Sequence, residues 1–474
     1  MKKHLLLVFL SFTLICILTS CNHIKKGNDS TPKKKYKTIT WQTEQDMSDY
    51  QDYLNEMLLK KEYPYQVKFI NQGDNKNADI LEVGSNSWEK TYGDIEEISN
   101  GKLIPLDSYL ETSEGKKLKA TLPQNVWEAY KVNGKQYTIL GTGYAPFRTA
   151  YIWDKTLADK YQIHPETWSM EIWKYKEDLE KVYNGENKNN LLTVSGLRNH
   201  IPLSLGYTFV LGECYPITID EQNETVIAQF LYDSPKYKQA LDGVLSLYKS
   251  GIYSPEKEES MNYSKTFLEI TNVFTTKDAY SFAIGDKNFW KTHEVKILHE
   301  NPLWKLTCTA RETGISAKCP YPDDAFRLLA AIYTDKDLAN ALLWGKKDVQ
   351  YTVNNNFAIE IGTTNRPAVN TSMGNQLICY VDVGQDPNRE TSYPKQMENA
   401  VPSKLLGFNF IGKNCQKELE NVFQVFYKDY CSAGNTSLLQ QDNLRLQYKE
   451  AGIDKVIAEW NREFQEWRET QKAR

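Results

Sequence analysis

The sequence predicts an α/β protein in which open sheets are flanked by helices and the chain is divided between two domains. Strand-like and helix-like stretches alternate from Lys37 onward, and amphipathic helices recur through the later chain. The third observation is length: about 440 residues follow residue 36, more than one hydrophobic core usually holds.

The elements follow in order. Lys37 to Trp41 alternates and is β-branched, which reads as a strand. Met47, Tyr50, Leu54 and Leu58 recur at intervals of three and four, one face of a helix that Pro64 ends. Tyr65 to Ile70 reads as a second strand with Val67 and Phe69 inward. Ala78 to Val83 is short and apolar enough to be central in a parallel sheet. Such alternation implies right-handed crossovers in an open sheet. Helical periodicity returns at Asp178 to Tyr183, at Tyr237 to Tyr248 with Leu241, Val244 and Leu245 inward, at Asp324 to Ile332 and at Lys336 to Trp344. After Gly452, the spacing of Ile453, Val456, Trp460, Phe464 and Trp467 predicts a long helix. These stripes read as core.

The first residues set the compartment. Lys2 and Lys3 precede an apolar run from Leu5 to Leu18, a secretory signal too short to span a membrane. Leu18-Thr19-Ser20-Cys21 resembles the bacterial lipobox, which implies that residues 1–20 are removed and that Cys21 becomes the acylated (palmitate-type) first residue of the mature chain. More than one acyl chain anchors a protein stably. Residues 21–36 are polar and lysine-rich and cannot bury enough apolar surface to fold, so they form a tether. The expected location is the extracytoplasmic face of the cell membrane, with the lipid as the chain's contact with it.

Composition excludes several functions. The formal net charge of −4 becomes −6 once Lys2 and Lys3 leave with the signal, which argues against nucleic acid as partner. Beyond Cys21 six cysteines remain, at 214, 308, 319, 379, 415 and 431, compatible with disulfides or with free thiols. None has C-x-x-C spacing or a histidine at zinc-site distance, so no metal and no cofactor is expected. No G-x-S-x-G elbow is present, and His293-Glu294 and His299-Glu300 lack the second histidine of H-E-x-x-H. Gly141 and Gly143 lack the third glycine and the lysine of a phosphate loop. No catalytic residues are assigned, and a binding protein is expected rather than an enzyme.

Longer motifs agree. Gly101-Lys102-Leu103-Ile104-Pro105-Leu106-Asp107-Ser108-Tyr109-Leu110 resembles the G-x-L-x-P-L-D-x-Y-L segment of family-one extracellular solute-binding proteins. Val132-Asn133-Gly134-Lys135-Gln136-Tyr137 resembles the hairpin that follows it there, and Trp153-Asp154-Lys155 with Leu157 to Tyr161 the entry to the second lobe. Gly314-Ile315-Ser316-Ala317, Pro322 to Ala325, Tyr333-Thr334-Asp335, Trp344-Gly345, Pro402 to Phe408 and Lys449 to Val456 resemble one lipoprotein branch of that family. The likeness runs from about Trp41 to Trp467. It departs at Gln350, where the branch has histidine, and at Ile411-Gly412, in place of an acidic turn.

The resemblance implies a two-lobed, periplasmic-binding-protein-like fold with ligand in the cleft between lobes. The expected division is 37–146 with 268–347 for the N-terminal lobe and 147–267 with 348–474 for the C-terminal lobe. It implies capture of a small solute by a monomer and delivery to the permease subunits of an ABC importer. The 30 tyrosines and 11 tryptophans favour an oligosaccharide, since sugar sites combine flat rings with a few fixed polar groups. A peptide or other polar solute, or surface glycan adhesion without an importer, is the alternative.

Ligands meet open α/β sheets at the carboxyl ends of strands. Trp41 is therefore a candidate ligand-binding residue, unless its ring packs over the first helix; Gln42 and Glu44 lie just beyond. Trp88 follows the third strand, with Asn86 and Tyr92 nearby. Tyr144 and Arg148 fall in the crossing between lobes, where the arginine either clamps ligand or forms an interlobe salt bridge. Trp290 falls near the return crossing. Tyr207, Tyr280 and Trp304 read as core more than cleft.

Overall fold

The computed structural model describes residues 36–43, 46–71, 77–83, 98–141, 148–186, 192–212, 214–254, 266–273, 288–304, 312–361, 373–382, 385–431 and 441–472. Strand β1 (Lys37–Thr43) alternates so that Ile39, Trp41 and Thr43 face inward. Helix α1 (Ser48–Lys60) lays Tyr50, Leu54 and Leu58 on the same core. Glu62, in the left-handed region, and Pro64 turn the chain into β2 (Tyr65–Asn71). β2 is an edge strand, and α1 covers its outer backbone: Asn55 bonds both N–H and C=O of Val67 at 2.7 and 2.9 Å, and Gln51 accepts from Phe69 N at 2.8 Å.

Next is β3 (Ile80–Val83), which pairs parallel to β1 with Trp41 opposite Ile80. Gly101 to Leu110 runs beside the sheet with Leu103, Leu106 and Leu110 buried. Helix α2 (Gln124–Ala129) leads to a hairpin at Val132–Lys135 whose tip, Asn133-Gly134, takes positive φ at both residues, as a tight hairpin turn demands. β4 (Thr138–Leu140) completes this stretch.

A second sheet begins with β5 (Arg148–Asp154). Asp154 caps α3 (Lys155–Tyr161) by accepting from Leu157 N at 3.1 Å. Then come α4 (Lys176–Glu186), β6 (Leu192–Ser195) and α5 (Leu197–Ser204). Gly196 joins β6 to α5 at φ +77°, and a Cβ there would meet the Ile270 carbonyl at 1.9 Å, so only glycine fits. A small antiparallel sheet follows, β7 (Tyr207–Phe209), β8 (Ile217–Asp220) and β9 (Gln229–Phe230). Ser234 caps α6 (Pro235–Lys249), on which Leu247 is buried where the expected stripe had Leu245. β10 (Thr266–Val273), α7 (Phe289–Thr292) and β11 (His293–Glu300) return the chain, giving a second sheet of order β11-β5-β10-β6.

The chain then re-enters the first sheet as β12 (Glu312–Ile315), followed by α8 (Pro322–Thr334) and α9 (Lys336–Trp344). The first sheet has the order β2-β1-β3-β12-β4. β3 is central, as its apolar run predicts, but the sheet is mixed: β12 runs antiparallel to both β3 and β4. The short strands β13 (Tyr351–Asn354), β14 (Phe357–Glu360) and β15 (Val381–Asp382) pack on Trp344. Helices α10 (Arg389–Glu398), α11 (Gln416–Cys431), α12 (Gln441–Ala451) and α13 (Ile453–Lys472) end the chain.

Packing divides these elements among three principal cores. The first joins β1 to β4, β12, α1, α8 and α9, and also takes Met373, Leu377, Tyr393 and Met397. The second lies under the helical face of the β5 sheet, with α4 and α6. The third joins β8 and β9 to the C-terminal helices through Phe408, Val456, Trp460 and Phe464. The described strands therefore divide the chain at points other than those expected. Residues 266–273 and 293–300, expected largely in the N-terminal lobe, are hydrogen-bonded to β5 in the second sheet. Residues 373–397, expected in the C-terminal lobe, pack on the first core. Pairing between distant strands decides these boundaries, and local periodicity carries no record of it.

Among the described residues Cys319, Cys379 and Cys415 are free thiols, and burial pushes the Cys379 and Cys415 thiols up to about 12. Cys308 lies outside the described residues, as does the Cys431 side chain. No helix among the described residues is long and apolar enough to cross a membrane.

Trp41 is fully buried in the first core, its ring 5.8 Å from that of Phe69. Replacing it by alanine removes a large core side chain, and Trp41→Ala should destabilise the protein by about 3–5 kcal/mol. Chemical denaturation followed by tryptophan fluorescence checks this; an unchanged midpoint would contradict the packing.

Candidate functional site

The carboxyl ends of β3 and β4 and the amino end of β12 are level, because Glu312 pairs with both Val83 and Leu140. Here the apolar sheet turns polar. Thr43, Glu82, Glu312 and Thr313 are all buried at this end, and Glu312 accepts a short hydrogen bond from the Thr138 hydroxyl. Burying carboxylates is unfavourable unless partners surround them, so such a cluster at strand ends is a built feature.

The second sheet has a matching end. Arg148 opens β5 where β10 and β11 close, paired with Val273 and Glu300. Thr149 lies between Asn272 and His299 one step further in, and Ser195 ends β6 beside Glu269. Only seven residues separate Leu140 from Arg148, so the two polar ends lie within about 30 Å of each other whatever path the crossing takes. Each sheet thus has a polar end, or rim, and residues 141–147 join the two in sequence.

A further crossing segment closes beside them. Leu303 and Pro402 form a parallel bridge, with Leu303 N donating to Val401 O at 2.6 Å and Ser403 N to Leu303 O at 3.0 Å. The Ser403 hydroxyl donates to Glu221 at 2.7 Å, and the Lys404 ammonium donates to the Glu221 carbonyl at 2.7 Å. The segment 401–404 is thereby tied to the turn after β8. Burial holds the His299 imidazole below its ordinary pKa, against the opposing charges of Glu300 and Glu221.

The expected site residues fall in several places. Trp41 belongs to the first core, because strand alternation places residues 39, 41 and 43 on the α1 face; it is the packing alternative that the structure shows, and the ring is not at a surface. Gln42 points from the opposite face of β1 and is half-buried. Arg148 forms an ion pair with Glu300 at 3.0 Å, a cross-strand pair within the second sheet and not an interlobe bridge. Trp290 is half-buried and stands edge-on to Phe289, with centroids 4.9 Å apart, over Ala150, Ile152 and Val273. Since Val273 pairs with Arg148, this ring sits on the strand that ends at the rim. Tyr207 is buried with its hydroxyl 2.7 Å from Ser234, and Trp304 belongs to the third core. Cys21, Glu44, Asn86, Trp88, Tyr92, Tyr144 and Tyr280 lie outside the described residues.

Sequence reading missed Glu82, Glu312, Thr313, Asn272 and His299. Their signal was present as polar residues inside otherwise apolar strand runs, but only pairing shows that they share two sheet ends. Among the described residues no group of three or more His, Cys, Asp and Glu side chains could hold a metal ion.

The depressed imidazole has a measurable consequence. Below the ordinary value of 6.5 the unfolded chain binds a proton that native His299 resists, so native stability falls as pH drops through that interval and is level above it. His299→Gln should flatten part of this slope in melting temperatures measured from about pH 5 to 8; an unchanged slope would place the imidazole in solvent.

No protein-family model and no curated protein sequence matches the chain. Solved structures do. The N-glycan transport solute binding protein of Streptococcus pneumoniae superposes with a TM-score of 0.68 at 17% identity, covering 91% of this chain and 98% of that one. Its complex with Man5GlcNAc gives 0.64 at 18%, with the same coverages of 91% and 98%. An ABC-transporter substrate binding protein of S. pneumoniae in complex with kestose gives 0.54 at 11%, covering 92% and 100%. Over nearly its whole length, the chain has the two-lobed α/β fold of these solute-binding proteins.

Proposed function

We propose that the protein is an extracellular solute-binding lipoprotein that captures an oligosaccharide between its lobes and hands it to an ABC-type permease. The observation that carries this reading is the fold match to the N-glycan transport protein, which extends over 91% of this chain and 98% of the other. Two such neighbours are described in complex with glycans, Man5GlcNAc and kestose. The polar strand ends suit the same role. They offer hydroxyl, carboxylate and guanidinium groups in fixed positions, and Trp290 stands on a strand that reaches them.

In this reading the first sheet with α8, α9 and residues 373–397 forms one lobe. The second sheet with the C-terminal helices forms the other, and the crossings at 141–147, 301–311 and 398–404 join them. Sugar bridging the two rims binds the closed arrangement more tightly than the open one, which is the condition for a ligand to drive closure. The rims hold and orient hydroxyl groups, and no reaction is assigned to them. Cys21 carries the lipid, residues 22–36 are the tether, and the lobes work as a monomer on the outer face of the membrane.

The test is a thermal-shift screen of soluble protein beginning after Gly27, against monosaccharides, oligosaccharides, peptides and amino acids. A ligand at about 100 times its dissociation constant stabilises by roughly 2.7 kcal/mol. The expected result is a shift with one oligosaccharide series; a shift with peptides alone would replace the sugar reading, and none with any small solute would favour a polymer-binding adhesin. Trp290→Ala should weaken the active sugar about tenfold, roughly 1.4 kcal/mol, with little change in melting temperature; undiminished affinity would remove that ring from the site. Cys21→Ala should leave the protein unprocessed or free of the membrane fraction, and a variant still acylated would overturn the anchor.

A further inference from the structure

A cavity of about 490 Å³ lies away from the strand ends, between the hairpin tip Asn133-Gly134 and the C-terminal helices. It cannot be the rim. The hairpin precedes the amino end of β4, whereas the carboxyl end of that strand, Leu140, reaches the rim. The opposite wall comes from the turn after Gly407 and from the last helix, α13. Its volume falls within the ~300–1,000 Å³ of ordinary small-ligand sites.

The wall chemistry is specific. Trp467 lines the cavity and is supported by Phe408 and Phe464, each with centroids 5.6 Å from it. Most of the charged groups are engaged with neighbours, and Lys413 stands exposed at the wall. Glu463 accepts from Ile411 N at 2.9 Å and Gly412 N at 3.1 Å, while Arg462 pairs with Glu459 at 2.7 Å and with Glu466 at 2.6 Å. Asn414 donates to Glu459 at 2.7 Å, and Asn409 reaches the Lys131 carbonyl at 3.4 Å. Three carboxylates against one guanidinium and one ammonium leave the wall near balance, which does not select a strongly charged guest. It offers an indole, several amides and fixed carboxylate acceptors. A pyranose matches this set: its C–H face lies on an aromatic ring, and its hydroxyls donate to carboxylates and both donate to and accept from amides.

We propose that this cavity is a second saccharide site, taking a neutral pyranose unit held between the Asn133-Gly134 hairpin and Trp467. The site is built from residues that the interlobe rim does not use, so it stands or falls separately from the cleft. A sugar seated there touches both the hairpin of the first sheet and the last helix.

The test follows indole ¹⁵N–¹H signals of the soluble protein during titration with methyl glucoside, methyl galactoside, methyl mannoside and N-acetylglucosamine. The Trp467 signal is assigned by its loss in Trp467→Phe. At least one probe should move it saturably. Thr470→Tyr, at an exposed position that lines the cavity, should fill the space and abolish the saturable shift without altering circular dichroism or melting temperature. Two results overturn the proposal: no probe moves the Trp467 signal saturably, or Thr470→Tyr leaves the shift intact. A shift confined to Trp290 also overturns this site while leaving the cleft reading in place. Saturable movement of Trp467 by a probe, with no movement of Trp290 by any oligosaccharide, does the reverse.

Discussion

The first sheet is complete only when Glu312–Ile315 is seated between Ile80–Val83 and Thr138–Leu140. These partners are far apart in sequence, so the ladder must recover a large loop-closure entropy. Its position makes everything between Leu140 and Glu312 an excursion that leaves and re-enters the sheet at one end. The second sheet therefore has to form near that end, and its own strands start and stop there: Arg148 opens β5 opposite the last residues of β10 and β11. The polar end of each sheet lies where the chain leaves or enters it around this insertion. The same ladder explains Gly314, where a Cβ would come within 2.8 Å of the Leu103 side chain packed across it.

Aromatic abundance suggested a ligand site, yet most of the described large rings hold the cores together. Trp41, Tyr50 and Tyr65 fill the first core, Trp168 and Tyr151 the second, and Trp460 and Phe464 the third. Trp168 lies flat on Tyr175, and Phe464 on Trp460, with centroids 4.8 and 5.0 Å apart. Among the described residues Trp290 and Trp467 are rings left partly uncovered by their clusters. Composition counts rings; burial decides which of them recognise anything.

The fold was largely legible where a residue's neighbours in sequence are also its neighbours in space. Alternation marked β1 and β2, and three-and-four spacing marked α1, α6, α8, α9 and α13. The tight turn at Asn133-Gly134 follows from residues that tolerate positive φ. The candidate site was legible only in part. Arg148 and Trp290 were singled out from their place in the chain, and both lie on or beside the second rim. Trp41 was singled out by the same reasoning, but strand alternation turns it inward, a consequence of parity that position at a strand end does not override.

What the sequence determined by itself was the local chemistry: which stretches can be strands or helices, where the leader resembles a lipobox, and that the chain resembles solute-binding proteins in motif order. What the tertiary structure alone decided was which strands lie side by side. That choice put β10 and β11 in the second sheet, sent residues 373–397 to the first core, and gathered Glu82, Glu312 and Thr313 at one end and Thr149, Asn272 and His299 at the other. The physical reason is range. Backbone propensity and periodicity act over a few residues, whereas strand pairing and core packing join residues more than a hundred positions apart, and no local pattern encodes the partner.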